Sequence, residues 1–210
     1  MKVSILTSGF SNGFTDEFIK CIKEYYCNKG SFVFVASGFE EHSKTDKYVG
    51  IFLNMFENNG ITFDKVNVVD NRVTKEEAMK YIENAEIIWL SGGDTLKQIS
   101  RLKDYSLIPA LRNREGITIG MSAGSINMAK KVVLAKDEND NIPELSIYDG
   151  IGLVDINIEP HLDSASEEHL KEIYEASMYS TIYGIYDNTF IKVVSDTIEI
   201  YGDYLKYEKR

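Results

Sequence analysis

Ile117-Thr118-Ile119-Gly120-Met121-Ser122-Ala123-Gly124-Ser125-Ile126-Asn127-Met128-Ala129 is the stretch that decides the fold. Residues 117–121 have the apolar, β-branched character of a buried strand, and 123–129 resume a helical pattern, so Ser122 stands where a strand turns into a helix. Such a turn is sharp, and Gly120, Ala123 and Gly124 are small enough to let strand and helix close up around it. The turn leaves the serine hydroxyl at the carboxyl end of a sheet strand, where α/β folds gather their ligands, with the Ala123 N–H aimed at the same space. That is the arrangement of a nucleophile beside an oxyanion donor. The same glycines would serve tight packing, or a phosphate at a helix N-terminus. Neither a Gly-Lys-Ser/Thr nor a Gly-x-Gly-x-x-Gly accompanies them, which argues against phosphate.

Working toward the N-terminus, apolar strand patterns at 2–7, 31–36, 61–69 and 86–90 alternate with helical patterns at 15–26, 44–58 and 74–84, the last opened by a Thr74/Glu77 capping box. The 86–90 strand runs into Ser91-Gly92-Gly93-Asp94-Thr95, and a helix resumes at 96–102. This rhythm predicts an α/β fold with a mostly parallel sheet flanked by helices on both faces. Toward the C-terminus the pattern shortens to strands at 132–135, 154–158, 182–186, 189–194 and 197–201, one helix at 167–177 and a hairpin signal at Asp187-Asn188. A short C-terminal β-hairpin region is expected there. With no linker, repeat or low-complexity tract, 1–210 is expected to be a single domain.

Acidic residues outnumber basic ones 33 to 23, for a net charge of −10, and no basic block is present to neutralise a phosphate backbone. Nucleic acid is excluded as an expected partner. The first residues form an apolar run too short for a secretory signal, and no window approaches a membrane span, which predicts a cytoplasmic protein without membrane contact. The two cysteines, Cys21 and Cys27, fall in one helical segment six residues apart, so they do not share a face and are expected as packed or half-exposed thiols.

A serine nucleophile needs a base, and the chain has three histidines. His42 (in FEEHSKTD) and His169 (in SEEHLKEIYE) sit among charges and are expected on the solvated surface. His161 follows the strand-like VDINIEP, stopped by Pro160, and is the expected base. Several carboxylates are available to orient it: the run Asp137, Glu138 and Asp140, or Glu159 and Asp163 beside the histidine. Asp137, Asn139 and Asn141 also alternate as in a calcium loop, but Ile142 and Tyr148 stand where that loop needs glycine and glutamate. The Gly92-Gly93 turn can supply a second oxyanion donor or serve only as a turn.

Taken together, SGGDTLKQISRL, ITIGMSAGSINMA and INIEPHLD resemble, in order and spacing, the peptidase E group of serine peptidases (dipeptidase E and cyanophycinase), whose fold is similar to class I glutamine amidotransferases. The resemblance implies Ser122 as nucleophile, His161 as base, Asp137 as the acid that orients it, and an oxyanion hole from the Gly93 and Ala123 N–H groups. It implies no metal and no organic cofactor. A chain of this size with a sheet-end site has little room for an extended protein, so dipeptides or short peptides, acidic ones among them, are the expected substrates, and a monomer or small homo-oligomer is the expected state. Two departures bear on specificity. Ser91-Gly92-Gly93-Asp94 replaces the family's Gly-Gly-Gly-Asn, and 162–170 lacks the arginine that aspartyl dipeptidases carry after the histidine, a loss that matters because a substrate aspartate needs a cationic partner. The same triad would also hydrolyse a non-peptide ester or amide. A non-catalytic protein of this fold, holding a small anion in its glycine turns, is the alternative outside the enzymes.

Overall fold

The computed structural model describes residues 1–26, 30–137 and 142–209. Five parallel strands, β1 (Lys2–Thr7), β2 (Ser31–Val35), β3 (Lys65–Val69), β4 (Ile87–Leu90) and β5 (Gly116–Met121), form the body of a seven-stranded sheet. Two antiparallel strands complete it, β10 (Phe190–Val194) and β11 (Thr197–Tyr201), in the order β11-β10-β1-β5-β4-β2-β3. The carboxyl ends of β1, β2, β4 and β5 lie along one edge, and the segments that leave from there carry Ser8, Ser37, Gly93 and Ser122.

Strand alternation divides the core. Phe32 and Phe34 of β2, Ile87 and Trp89 of β4, and Ile117 and Ile119 of β5 face α1 (Asp16–Tyr25) and α2 (His42–Asn58). Val33, Val35, Ile88 and Leu90 face α3 (Lys75–Glu83), α4 (Thr95–Asp104), α5 (Ile108–Asn113) and α6 (Ala123–Asn127). Covered on both faces, the central strands carry continuous apolar runs rather than alternating polarity. Phe14, Phe18, Phe52, Phe56, Phe63 and Trp89 form a linked aromatic cluster on the first face. Cys21 packs beside it at 3% exposure, and burial pushes its thiol up to about 11, as suits a packing residue. Cys27 lies outside the described residues.

A two-stranded ribbon, β6 (Lys131–Leu134) with β7 (Ser146–Asp149), follows α6. A second sheet has the order β12-β9-β8, from β8 (Asn157–Glu159), β9 (Ile182–Ile185) and β12 (Tyr204–Tyr207). Helix α7 (Glu167–Ser177) packs on it through Ile173 and Ala176.

The sequence pattern misplaces several boundaries. Residues 61–64 close off α2, with the Ile61 N–H donating to the Phe56 carbonyl, so β3 starts only at Lys65. Val154 makes an isolated bridge to Ala129, and β8 begins at Asn157. Helices and strands α5, β7 and β12 carry no signal that the pattern resolved. The largest difference is at Asp187-Asn188, which is no hairpin: β9 pairs with β8 and β12, whereas β10 pairs with β1 and β11. The turn carries the chain from one sheet to the other. The hairpin is at Ser195-Asp196, with φ of 47° and 67°, the doubly positive pair that a tight two-residue turn demands.

Phe56 is fully buried and touches four aromatic neighbours. Phe56→Ala is expected to lower the unfolding free energy by about 3–5 kcal/mol, measured by denaturant titration.

Candidate active site

Ser122 adopts φ 49° and ψ −114°, a conformation that costs a residue with a side chain about 1–3 kcal/mol and persists only where neighbours enforce it. The enforcement is visible. The Ser122 N–H donates to the Thr7 carbonyl at 2.9 Å, and the Ser125 hydroxyl both donates to that carbonyl (2.8 Å) and accepts from the Thr7 N–H (2.9 Å). Helix α6 thereby closes on the end of β1. It also presses on β4: a Cβ on Gly124 would lie 2.1 Å from the Leu90 carbonyl oxygen, and one on Gly120 would lie 2.6 Å from Ser125 Cα. No other residue fits either position.

The Gly92-Gly93 turn lies alongside, since a Cβ on Gly92 would meet Ser122 Cβ at 3.4 Å. Gly93 has φ 128° and faces the Ser37 side chain, whose hydroxyl fixes the turn by donating to the Gly92 carbonyl at 2.8 Å. Asp94, the departure noted above, is occupied as the N-cap of α4: it accepts from the Lys97 N–H at 2.9 Å and pairs with the Lys97 ammonium at 3.3 Å. Behind the site, Asn127 bonds to the Thr95 carbonyl, Gln98 and the Tyr148 hydroxyl, fastening α6 to α4 and β7.

His161 also has a positive φ, 54°, just beyond β8. Its Nδ1 lies 2.8 Å from Asp187 Oδ1, and its backbone N–H donates to the Ser8 hydroxyl at 2.7 Å. Ser8 donates in turn to Asp187 Oδ1 at 2.8 Å, and Ser11 reaches Oδ2 at 3.3 Å. Burial alone would raise the Asp187 pKa. The Ser8 bond, the His161 charge and the Ser11 bond outweigh it, and hold the carboxyl below the ordinary carboxylate range. With Nδ1 committed, Nε2 is the nitrogen left for other partners. Ser122 and His161 line one cleft of about 620 Å³, whose far wall is the Glu41–Lys44–Thr45–Tyr48–Phe52 face of α2.

The carboxylate on the His161 ring is therefore that of Asp187, and the structure does not bring Asp137 to it. Asp137 sits instead across a smaller cavity with Glu159 and His169. Asp163 is used locally, accepting from the Ala165 N–H at 3.0 Å. Glu138, Asn139, Asp140 and Asn141 lie outside the described residues. His42 bonds to Asn71 at the start of α2. His169 corrects the expectation of a solvated side chain, because its Nε2 is fully buried. Asp187 escaped notice because Asp-Asn between two strands is ordinary turn chemistry. The usable signal was its position: a carboxylate downstream of the histidine, immediately before a strand able to join β1.

A strained serine elbow at the carboxyl edge of a mostly parallel sheet, with a carboxylate-bound histidine in the same cleft, defines the α/β serine hydrolases as a class. A family model narrows this further: residues 5–201 match peptidase family S51, and the chain belongs to that family. Peptidase E of Nostoc sp. is 26% identical over 188 residues, covering 84% of this chain and 72% of that protein. Peptidase E of Escherichia coli is 26% identical over 124 residues, covering 53% of each chain. Among solved structures, a peptidase from an acI-B1 actinobacterium superposes with a TM-score of 0.72 at 16% identity, over 100% of this chain and 95% of that one. A Listeria monocytogenes protein assigned to peptidase E gives 0.71 at 19% identity, over 96% and 98%. These neighbours share the fold. Among the described residues, no helix is long and apolar enough to cross a membrane.

A Cβ on Gly9 would lie 2.9 Å from Asp187 Oδ1 and 3.1 Å from His161 Cε1. Gly9→Ala is expected to separate the pair, seen as a shifted or lost His161 Nδ1–H resonance in ¹⁵N-edited NMR; an unchanged resonance would show that the pair tolerates the methyl group.

Proposed function

We propose that this chain is a serine-type peptidase acting on short peptides through an acyl-enzyme. The observation that carries the reading is the shared cleft: a serine held in a strained elbow, and a histidine whose Nδ1 is tied to a carboxylate. His161 takes the Ser122 proton as the hydroxyl attacks the peptide carbonyl carbon, and Asp187 holds the ring in the required tautomer and stabilises the imidazolium. The carbonyl oxygen, now negative, accepts from the Gly93 and Ala123 N–H groups. His161 then returns the proton to the departing amine as the C–N bond breaks. Water, deprotonated by the same ring, hydrolyses the ester and regenerates Ser122.

The cleft's size supports a small substrate. Its cations are Lys44 and Lys97, both exposed and already paired, with Glu41 at 3.1 Å and Asp94 at 3.3 Å. Exposed pairs of this kind are worth about 0–1 kcal/mol, so an acidic side chain gains little by displacing them. Cleavage of Asp-Xaa is expected to stay within about fivefold of Ala-Xaa in kcat/KM, a discrimination of about 1 kcal/mol.

Ser122→Ala is expected to abolish fluorophosphonate labelling and to lower kcat by about 10⁴-fold or more. Asp187→Asn is expected to cost about 10⁴-fold in kcat by freeing the wrong tautomer, while Asp163→Asn has no such effect. Retained turnover in Ser122→Ala would end the reading. Because Asp187 is held below the usual carboxylate range, its carboxyl is expected to stay ionised to a lower pH than an ordinary aspartate, followed by the pH dependence of its carboxyl ¹³C resonance.

A further inference from the structure

The larger cleft is charged at its rim and apolar below it. At the rim Glu41 pairs with Lys44 at 3.1 Å and Asp94 with Lys97 at 3.3 Å, all four exposed. Beneath them three rings line up. Tyr48 and Phe52, four residues apart on one face of α2, have centroids 6.4 Å apart and planes 24° apart, and Phe52 repeats the arrangement with Phe34 of β2 at 6.4 Å and 28°. Phe34 and Phe52 are almost wholly buried yet line the cleft, so they make its floor, while Tyr48, 40% exposed, makes its lip. Met121, packed against the same core face, carries the apolar surface to the nucleophile. A Cβ on Gly92 would lie 3.1 Å from Met121 Cε and 3.4 Å from Ser122 Cβ. Water gains little on such a floor and is readily displaced by an apolar group.

A smaller cavity of about 280 Å³ meets the cleft at Ser122 and His161, and the two divide the substrate between them. The Gly92-Gly93 turn borders the larger cleft, and Pro160 and Asp163, on either side of the histidine, border the smaller one. The departing amine must face the ring that protonates it, whereas the acyl group stays on the serine beside the turn that receives its oxygen. The acyl half therefore belongs to the larger cleft.

We propose that Phe34, Tyr48, Phe52 and Met121 form the pocket for the residue on the acyl side of the cleaved bond, and that this pocket selects a large apolar or aromatic side chain there. The inference rests on the Ser122 peptidase reading and names its substrate class: short peptides cleaved after residues such as Phe, Leu or Met. An aromatic acyl side chain extends the row of rings begun by Phe34 and Phe52. The unbranched Met121 side chain can move to fit apolar groups of different shape. An aspartate in the same place brings a charge to an apolar floor whose neighbouring cations, Lys44 and Lys97, are already paired.

The test begins with competition, which does not depend on turnover. A boronic acid accepts a lone pair from the Ser122 oxygen as the hydroxyl proton passes to His161, and the carbon chain on boron then stands where the acyl chain would. Phenethylboronic acid presents the side chain of phenylalanine, and ethylboronic acid that of alanine. In timed fluorophosphonate labelling of the full chain, phenethylboronic acid is expected to protect Ser122 at concentrations about 30-fold or more below those of ethylboronic acid, the effect of burying a phenyl ring. In turnover, kcat/KM for Phe-Ala is expected to exceed that for Ala-Ala by about the same 30-fold, with Ala-Phe and Asp-Ala close to Ala-Ala. The phenethyl-to-ethyl ratio is expected to shrink about fivefold in Tyr48→Ala and about threefold in Phe52→Leu, through lost ring contacts, while ethylboronic acid protects both variants as it does the wild type. Tyr48 is exposed and Phe52→Leu keeps an apolar side chain in the core, so one variant stands if the other misfolds. Equal protection by the two boronic acids, a preference for Ala-Phe over Phe-Ala, or a wild-type ratio in both variants would overturn the apolar pocket, while a labelled Ser122 leaves the peptidase reading intact. A wild-type chain that the probe does not label would remove both.

Discussion

The contact between Gly124 and the Leu90 carbonyl is the constraint on which the cleft depends. Because no Cβ intervenes, α6 starts directly against the end of β4, and the Ser125 hydroxyl can reach both backbone groups of Thr7 on β1. With the helix pinned at two strands, Ser122 has only the strained conformation open to it. The strain is held by buried hydrogen bonds and sheet packing, which loses far more by opening the turn than it gains from relaxing one residue.

The histidine is positioned by different means. Its carboxylate partner, the serine between them and the glycine that lets them meet come from the loop after β1 and the turn before β10. These strands are neighbours in the sheet, so the antiparallel pairing of β10 with β1 brings Ser8 and Asp187 together. The nucleophile depends on helix packing and the histidine on strand registry. Each could have been assembled without the other.

That difference explains what the sequence disclosed. The elbow is local: glycine spacing, an apolar strand and a helical pattern are contiguous, and 117–129 announces all three. Alternation of strands and helices gave the parallel sheet for the same reason. Asp187 was hidden because its meaning depends on which sheet the following strand joins, and turn chemistry at 187–188 is the same for a hairpin and for a crossing between sheets. His169 misled because Glu167, Glu168 and Lys171 make its surroundings look solvated, while the ring itself faces inward from the first turn of α7. Asp137 was singled out by the resemblance from a run of carboxylates between Ser122 and His161 that the residues alone did not rank, and place in the chain is no measure of which carboxylate a folded ring meets.

The chain crosses between its two sheets at Asp187, and His161 stands at the end of a strand of the smaller one. Ile158 of β8 and Ile185 of β9 are nonetheless buried in the same core as Leu6, Val33 and Ile191 of the large sheet, so the strand that leads to the histidine and the strands that hold the nucleophile share one apolar interior. Displacing His161 by opening the small sheet would expose that interior to water, and the C-terminal third of the chain thereby holds a histidine in register with a serine it does not contain.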